Sequence, residues 1–103
     1  MIARVWRGWA APAGAGAYER YFRDTLTPEL LSLPGCLGAH LLRRAHGAEV
    51  ELSTIVWFES FDAVRRFAGA DAEGAVVSEH ARGLLTRYQH RVVHYEVAAT
   101  AGA

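Results

Sequence analysis

The sequence predicts one α+β domain with element order β-α-β-β-α-β, a four-stranded antiparallel sheet carrying two helices on one face. Three observations point there. Leu52 to Phe58 is dense in β-branched and aromatic residues, and it runs almost without a loop into Phe61, Val64, Phe67 and Ala68, which recur at helical spacing. Ile2 to Trp9 and His90 to Val97 each alternate as half-buried strands do. Between the first strand and the middle of the chain, Tyr18, Tyr21, Phe22, Thr25 and Leu26 line one side of a helix at i, i+3, i+4, i+7 and i+8.

The elements follow in order. Ile2 to Trp9 is the first strand, and the small Pro/Gly-containing run Ala10 to Gly16 reads as a turn. The helix after it ends near Leu26. Thr27 then reads as an N-cap and Pro28 as the first position of one extra turn, Pro28 to Leu31, closed by Pro34-Gly35. Leu37 to Arg44 and Glu49 to Phe58 make an antiparallel pair joined at Ala45 to Ala48. Ser60 is positioned to cap the helix Phe61 to Ala68, whereas Gly69 to Leu85 has no single period and reads as broken helical turns. His90 to Val97 is the last strand. Residues 1–97 are expected to form the domain and 98–103 a flexible tail of small residues.

Apolar side chains occupy both faces of these strands: Ile2 and Trp6 oppose Val5 and Trp9, Val56 and Phe58 oppose Ile55 and Trp57, and Leu41 opposes Leu42. Two helices cover only one face. The other is expected to be covered by a second copy of the sheet, which makes a homodimer the simplest arrangement.

Composition narrows the function. Eleven basic and eleven acidic side chains cancel, which removes the charge imbalance that nucleic-acid or anionic-membrane binding needs. Cys36 stands alone, so no internal disulfide is available, and no run approaches the roughly 20 apolar residues of a membrane span. The start of the chain lacks the features of a secretion signal, and a cytoplasmic protein is expected. Zinc-type spacing, phosphate-binding glycine loops and a Gly-x-Ser-x-Gly elbow are all missing, so no metal site is expected.

Four segments resemble the antibiotic biosynthesis monooxygenase superfamily: Met1-Ile-Ala-Arg-Val-Trp-Arg-Gly8, Leu33-Pro-Gly-Cys-Leu-Gly-Ala-His-Leu-Leu-Arg-Arg44, Val56 to Gly69, and Val92-Val-His-Tyr-Glu-Val97. The resemblance implies a dimeric α/β barrel in which two ferredoxin-like sheets face each other. It further implies cofactor-free oxygenation, in which an anion formed from the aromatic substrate reduces oxygen directly and no cofactor is bound. The protein would then deprotonate the substrate, stabilise its oxyanion and exclude water. Such relatives often carry Trp where this chain has Phe58, with Asn upstream and Tyr downstream; the counterparts here are Thr54 and Val64. Haem-degrading relatives use Asn on the first strand, Trp near the end of the third and His on the second helix. This chain contains no Asn.

The candidate residues are these. His40, His80 and His94 are the candidate bases, since imidazole moves protons near neutral pH; each also fits a structural or solvent-exposed role. Arg4 and Arg82 are candidate anion stabilisers, with Glu49, Glu51 or Glu96 as expected partners for Arg4 and Arg7 inside the first strand. Trp6, Tyr21, Phe22, Thr54, Trp57 and Phe58 are candidate substrate-binding residues, Trp57 and Phe58 necessarily on opposite faces. The function expected is a cofactor-independent monooxygenase acting on a small polycyclic or quinol-like aromatic. A proton-shuttling isomerase or cyclase, and a non-catalytic binding module, are the alternatives.

Overall fold

The structure, a computed structural model, describes residues 1–102 and has the expected α+β architecture: an open antiparallel sheet with helices on one face. The strand β1 (Ile2–Ala10) pairs along its whole length with β3 (Glu49–Phe58), from Ile2 opposite Phe58 to Ala10 opposite Val50. On the far side of β3 lies β2 (Cys36–His46). These two strands join in a tight turn where Gly47 adopts φ +61°, a left-handed conformation that favours glycine.

The free edge of β1 takes two short strands in place of one continuous fourth strand. These are β4 (Arg87–Tyr88), opposite Gly8 and Trp9, and β5 (Val93–Glu96), opposite Ile2 to Val5. The expected strand over His90 to Val97 is interrupted because the backbone from His90 to Val92 turns to another partner. The Ala75 amide donates to the His90 carbonyl, and the Val92 amide donates to the Glu73 carbonyl, each within 2.9 Å. The segment 73–75 is thereby fastened beside the sheet, and it leads directly into Val76 to Ser78, a wall of the cavity described below. Ala98 to Gly102 has no regular structure, and Ala103, the end of the expected tail, lies outside the described residues.

Helix α1 (Pro12–Tyr21) begins where a turn was expected, with Pro12 at its first position. Its small residues serve packing. Ala15 has no exposed surface, and a Cβ added at Gly14 would run into the Leu84 carbonyl of α4 (Glu79–Leu84). Alanine is the better helix former by about 1 kcal/mol, yet Gly14→Ala is expected to destabilise the fold by about 1–3 kcal/mol through overpacking, read as a lower urea midpoint.

The chain then passes without a break through a π-helical turn, Phe22 to Leu26, into α2 (Thr27–Leu31). Thr27 is therefore not the expected N-cap. It has helical dihedrals, its amide donates to the Phe22 carbonyl, and its buried hydroxyl has no partner. Pro28 supplies the physical reason: proline has no N–H for the carbonyl four residues back and its ring crowds that carbonyl, which a widened turn accommodates. The widened turn also exposes Thr25, which a regular helix would have placed with Leu26 on the core side.

Helix α3 (Phe61–Ala68) starts as expected, the Ser60 hydroxyl accepting from the Ala63 amide at 3.2 Å. Two apolar cores lie under the helices. One gathers Trp6, Ala15, Tyr18, Leu52 and Val92; the other gathers Leu30, Val56, Phe58 and Val64. No helix among the described residues is long and apolar enough to cross a membrane.

Candidate functional site

Strand alternation sorts the side chains into two faces. Arg4 and Trp6 of β1 with Thr54 and Val56 of β3 point toward the helices and line a cavity of about 50 Å³ between the two cores. Tyr18, Tyr21, Leu26 and Leu30 form its helical side, Phe67 and Val92 its ends, and Val76 to Ser78 with Ala81 its outer wall. Its size decides what it holds as built. A cavity of about 150 Å³ admits benzene, so this one takes water and admits an aromatic ring only if a wall moves outward. The wall with no regular structure is Val76 to Ser78, held to α1 by the Tyr21 hydroxyl against Ser78 Oγ at 3.0 Å. Ser78 also caps α4 by accepting from the Ala81 amide at 3.1 Å.

The polar end of the cavity is Arg4, only 4% exposed. Its Nη1 donates to the Ala72 carbonyl at 2.6 Å and to His94 Nε2 at 2.9 Å, and Nη2 donates to the Gly74 carbonyl at 2.8 Å. The guanidinium also lies 5.4 Å from the Phe67 ring centre. None of the expected acidic partners reaches it. Glu49 bonds Thr86 and Arg87, and Glu51 bonds Arg44, whose hydrogen bond first and charge second hold it below the usual carboxylate range. Burial lowers Arg4 to about 10, so it remains a cation at neutral pH. On the helical side, burial pushes the Tyr18 hydroxyl well above the usual phenol range, with Tyr21 adding to the effect.

Of the three candidate histidines, none lines this cavity. His40 projects from the opposite face of the sheet, where its Nδ1 accepts from the Trp57 indole at 3.1 Å. His80 stands on the outside of α4 with its ring 5.3 Å from Tyr21, over an open cleft of about 410 Å³ shared with Arg20, Asp24 and Thr25. His94 comes nearest, but arginine has no lone pair, so its Nε2 is occupied as the acceptor from Arg4 and its neutral ring carries the proton on Nδ1. His94 braces Arg4 and is not free to take a proton from the cavity.

That contact has a pH signature. Burial first, and the Arg4 charge second, hold His94 below the usual imidazole value, against a smaller opposing pull from Glu73. The unfolded chain therefore binds the proton more readily than the folded one. Stability is expected to be flat above about pH 6.5 and to fall as pH drops below it. Urea midpoints at successive pH values check this, and His94→Gln is expected to flatten the acid limb.

Of the remaining candidates, Trp6 faces the cavity region with its indole donating to the Gln89 carbonyl at 2.9 Å, and Tyr21 and Thr54 line it with Trp6. Phe22 packs on the rim of the first core, and Arg82 is exposed on α4. Phe58 does not line the cavity: it is fully buried in the second core with Val64. Trp57 takes the other face, as the alternation required. Tyr18 and Ser78 are lining residues not singled out from the sequence. Tyr18 was signalled by its place three residues before Tyr21 on the same helix face, whereas nothing local marked Ser78.

No protein-family model matches the sequence, and no curated protein is significantly similar to it. Solved structures do match along its whole length. The haem degrader MhuD of Mycobacterium tuberculosis, with two haems bound in its active site, is 24% identical, with a TM-score of 0.66 over 99% of this chain and 100% of that one. Two provisionally named antibiotic biosynthesis monooxygenases are each 10% identical. The one from Deinococcus radiodurans has a TM-score of 0.61 over 100% of this chain and 98% of its own, and the one from Bacillus cereus 0.63 over 99% and 95%. The chain shares the fold of these structures. Within that fold, the cavity lies between the helices and the covered face of the sheet, while Trp57 and His40 mark the uncovered face.

Proposed function

We propose that the helix-side cavity is the working site of a monooxygenase-type reaction, in which a small aromatic molecule reduces oxygen as its own anion. The observation that supports this reading best is Arg4: a buried cation without an acidic partner, at the end of an otherwise apolar, aromatic-walled cavity. A guanidinium placed there stabilises negative charge as it develops on a bound ring. For an anthrone-type substrate the methylene carbon loses two hydrogens and gains one oxygen atom, and the second oxygen atom leaves as water. Tyr18, Tyr21, Thr54 and Ser78 line the cavity, and none of these hydroxyls is a base at neutral pH. Solvent therefore takes the proton, and Arg4 favours the anion that remains.

Haem, which MhuD binds, does not fit this cavity as built. No His, Cys or Met lines it; Tyr18 resists ionisation, Tyr21 is engaged with Ser78, and His80 faces outward. A proton-shuttling isomerase lacks a shuttling group for the same reason. The alternative with specific support is a non-catalytic binding module, favoured by the small volume and the absence of a lining base.

Oxygen uptake by the purified protein with anthrone and hydroquinones, above the uncatalysed background, tests the first reading. The rate is expected to rise about tenfold per pH unit below the substrate's own pKa, because the substrate and not a protein base sets the anion fraction. No uptake above background at any pH supports the binding module.

The uncovered sheet face exposes Leu42, Val93 and Tyr95 by half or more, with Val5, Ile55 and Trp57 half-buried between them. We propose that a second copy covers this face. Sedimentation at micromolar concentration is expected to show a dimer, and Leu42→Lys with Tyr95→Lys to show a monomer; a wild-type monomer contradicts the proposal.

A further inference from the structure

The same cavity carries a statement about the charge its ligand brings. We infer that the site takes its ligand already ionised, as a compact aromatic or enolic acid of one or two rings whose single negative charge sits against Arg4. This rests on the cavity being the working site, though not on any oxygen chemistry.

The acceptors around Arg4 are two backbone carbonyls and a neutral imidazole nitrogen, so its positive charge is hydrogen-bonded but not neutralised. Taking a charge out of water without an opposite charge is costly, and an anion brought by a ligand offsets that cost directly. Donors for it remain. Guanidinium has five N–H bonds, and the three described contacts leave Nε–H and one Nη2–H. One cation fits one negative charge, and no second cation lines the cavity to favour a dianion.

The rest of the lining sets the remainder of the ligand. Trp6 and Tyr18 stack at 6.0 Å between ring centres with an interplanar angle of 23°, and Val76 and Val77 face the cavity from the outer wall. These surfaces suit a flat apolar body. A neutral phenol meets Arg4 as an anion only after its proton has passed to water. An aryl carboxylate or a vinylogous acid, ionised below neutral pH, enters as the species Arg4 holds. The small volume limits its size, since even one ring needs more room than the cavity offers as built.

The test is a calorimetric titration of the full chain with 1-naphthoate and with its neutral isostere 1-naphthamide. Naphthoate is expected to bind at least about tenfold more tightly, the scale of one charge-assisted hydrogen bond. In Arg4→Met the difference is expected to vanish, and in Arg4→Lys to survive in part. If Arg4→Met does not fold, the two ligands on the unaltered protein decide alone. Equal or tighter binding of the amide, or no binding of either, overturns the inference. The two readings fail separately: naphthoate binding without oxygen uptake removes the monooxygenase and leaves the acid site, whereas oxygen uptake without naphthoate binding does the reverse.

Discussion

Phe58→Ala is expected to lower the unfolding free energy by about 3–5 kcal/mol, the usual cost of emptying a large aromatic site in a packed core. Phe58 has no exposed surface, sits in one core with Val56 and Val64, and lies 5.8 Å from the Phe67 ring centre. Its strand is hydrogen-bonded on both sides, to β1 and β2, so the backbone cannot collapse into the space. The neighbouring substitution Trp57→Ala, on the uncovered face, is expected to cost under about 1 kcal/mol in a monomer and to act mainly on self-association. Urea unfolding of the two variants side by side checks this. A loss below about 1 kcal/mol for Phe58→Ala would show that the second core does not hold α3 to the sheet.

Arg4→Met is expected to lower the rate constant for oxygen uptake by about 100-fold or more, the scale seen when one donor to a developing oxyanion is removed. Arg4→Lys keeps the charge but not the fork of donors, and is expected to retain part of the rate. The loss should fall on kcat with neutral substrates, whose charge appears only as they react, and on binding with substrates already ionised. Arg4 also fastens the wall through Ala72 and Gly74, so Arg4→Met is further expected to speed hydrogen exchange at the Ala75 and Val92 amides. Unchanged turnover with faster exchange would make Arg4 a purely structural clamp.

Much of the fold was legible because it depends on period. Alternation from Leu52 to Phe58 placed Phe58 and Trp57 on opposite faces, and the helical spacing after Ser60 gave α3 its bounds. The site was less legible because face membership does not say what lies against a face. His40 and His94 both sit on strands, yet one faces the uncovered side and the other ends as an acceptor for Arg4. The segment from Ala72 to Ser78, which ends in the cavity wall, has no period of its own; its place is set by bonds to Arg4, His90 and Tyr21, all distant in sequence. The start of α1 was hidden for a different reason. Its glycines and alanines argue locally for a turn, and only the close approach of α4 explains them.

The three tryptophan indoles offer a direct test of where the ligand sits, since each reports a different place: Trp6 beside the cavity with its N–H on the Gln89 carbonyl, Trp9 under Arg87, and Trp57 on His40 across the sheet. A ¹⁵N–¹H titration of the full chain with 1-naphthoate is expected to shift the Trp6 indole and the Arg4 and Ala75 amides while leaving the Trp57 indole in place. Shifts centred on Trp57 with Trp6 unmoved would place the ligand on the uncovered face and contradict the cavity as the working site.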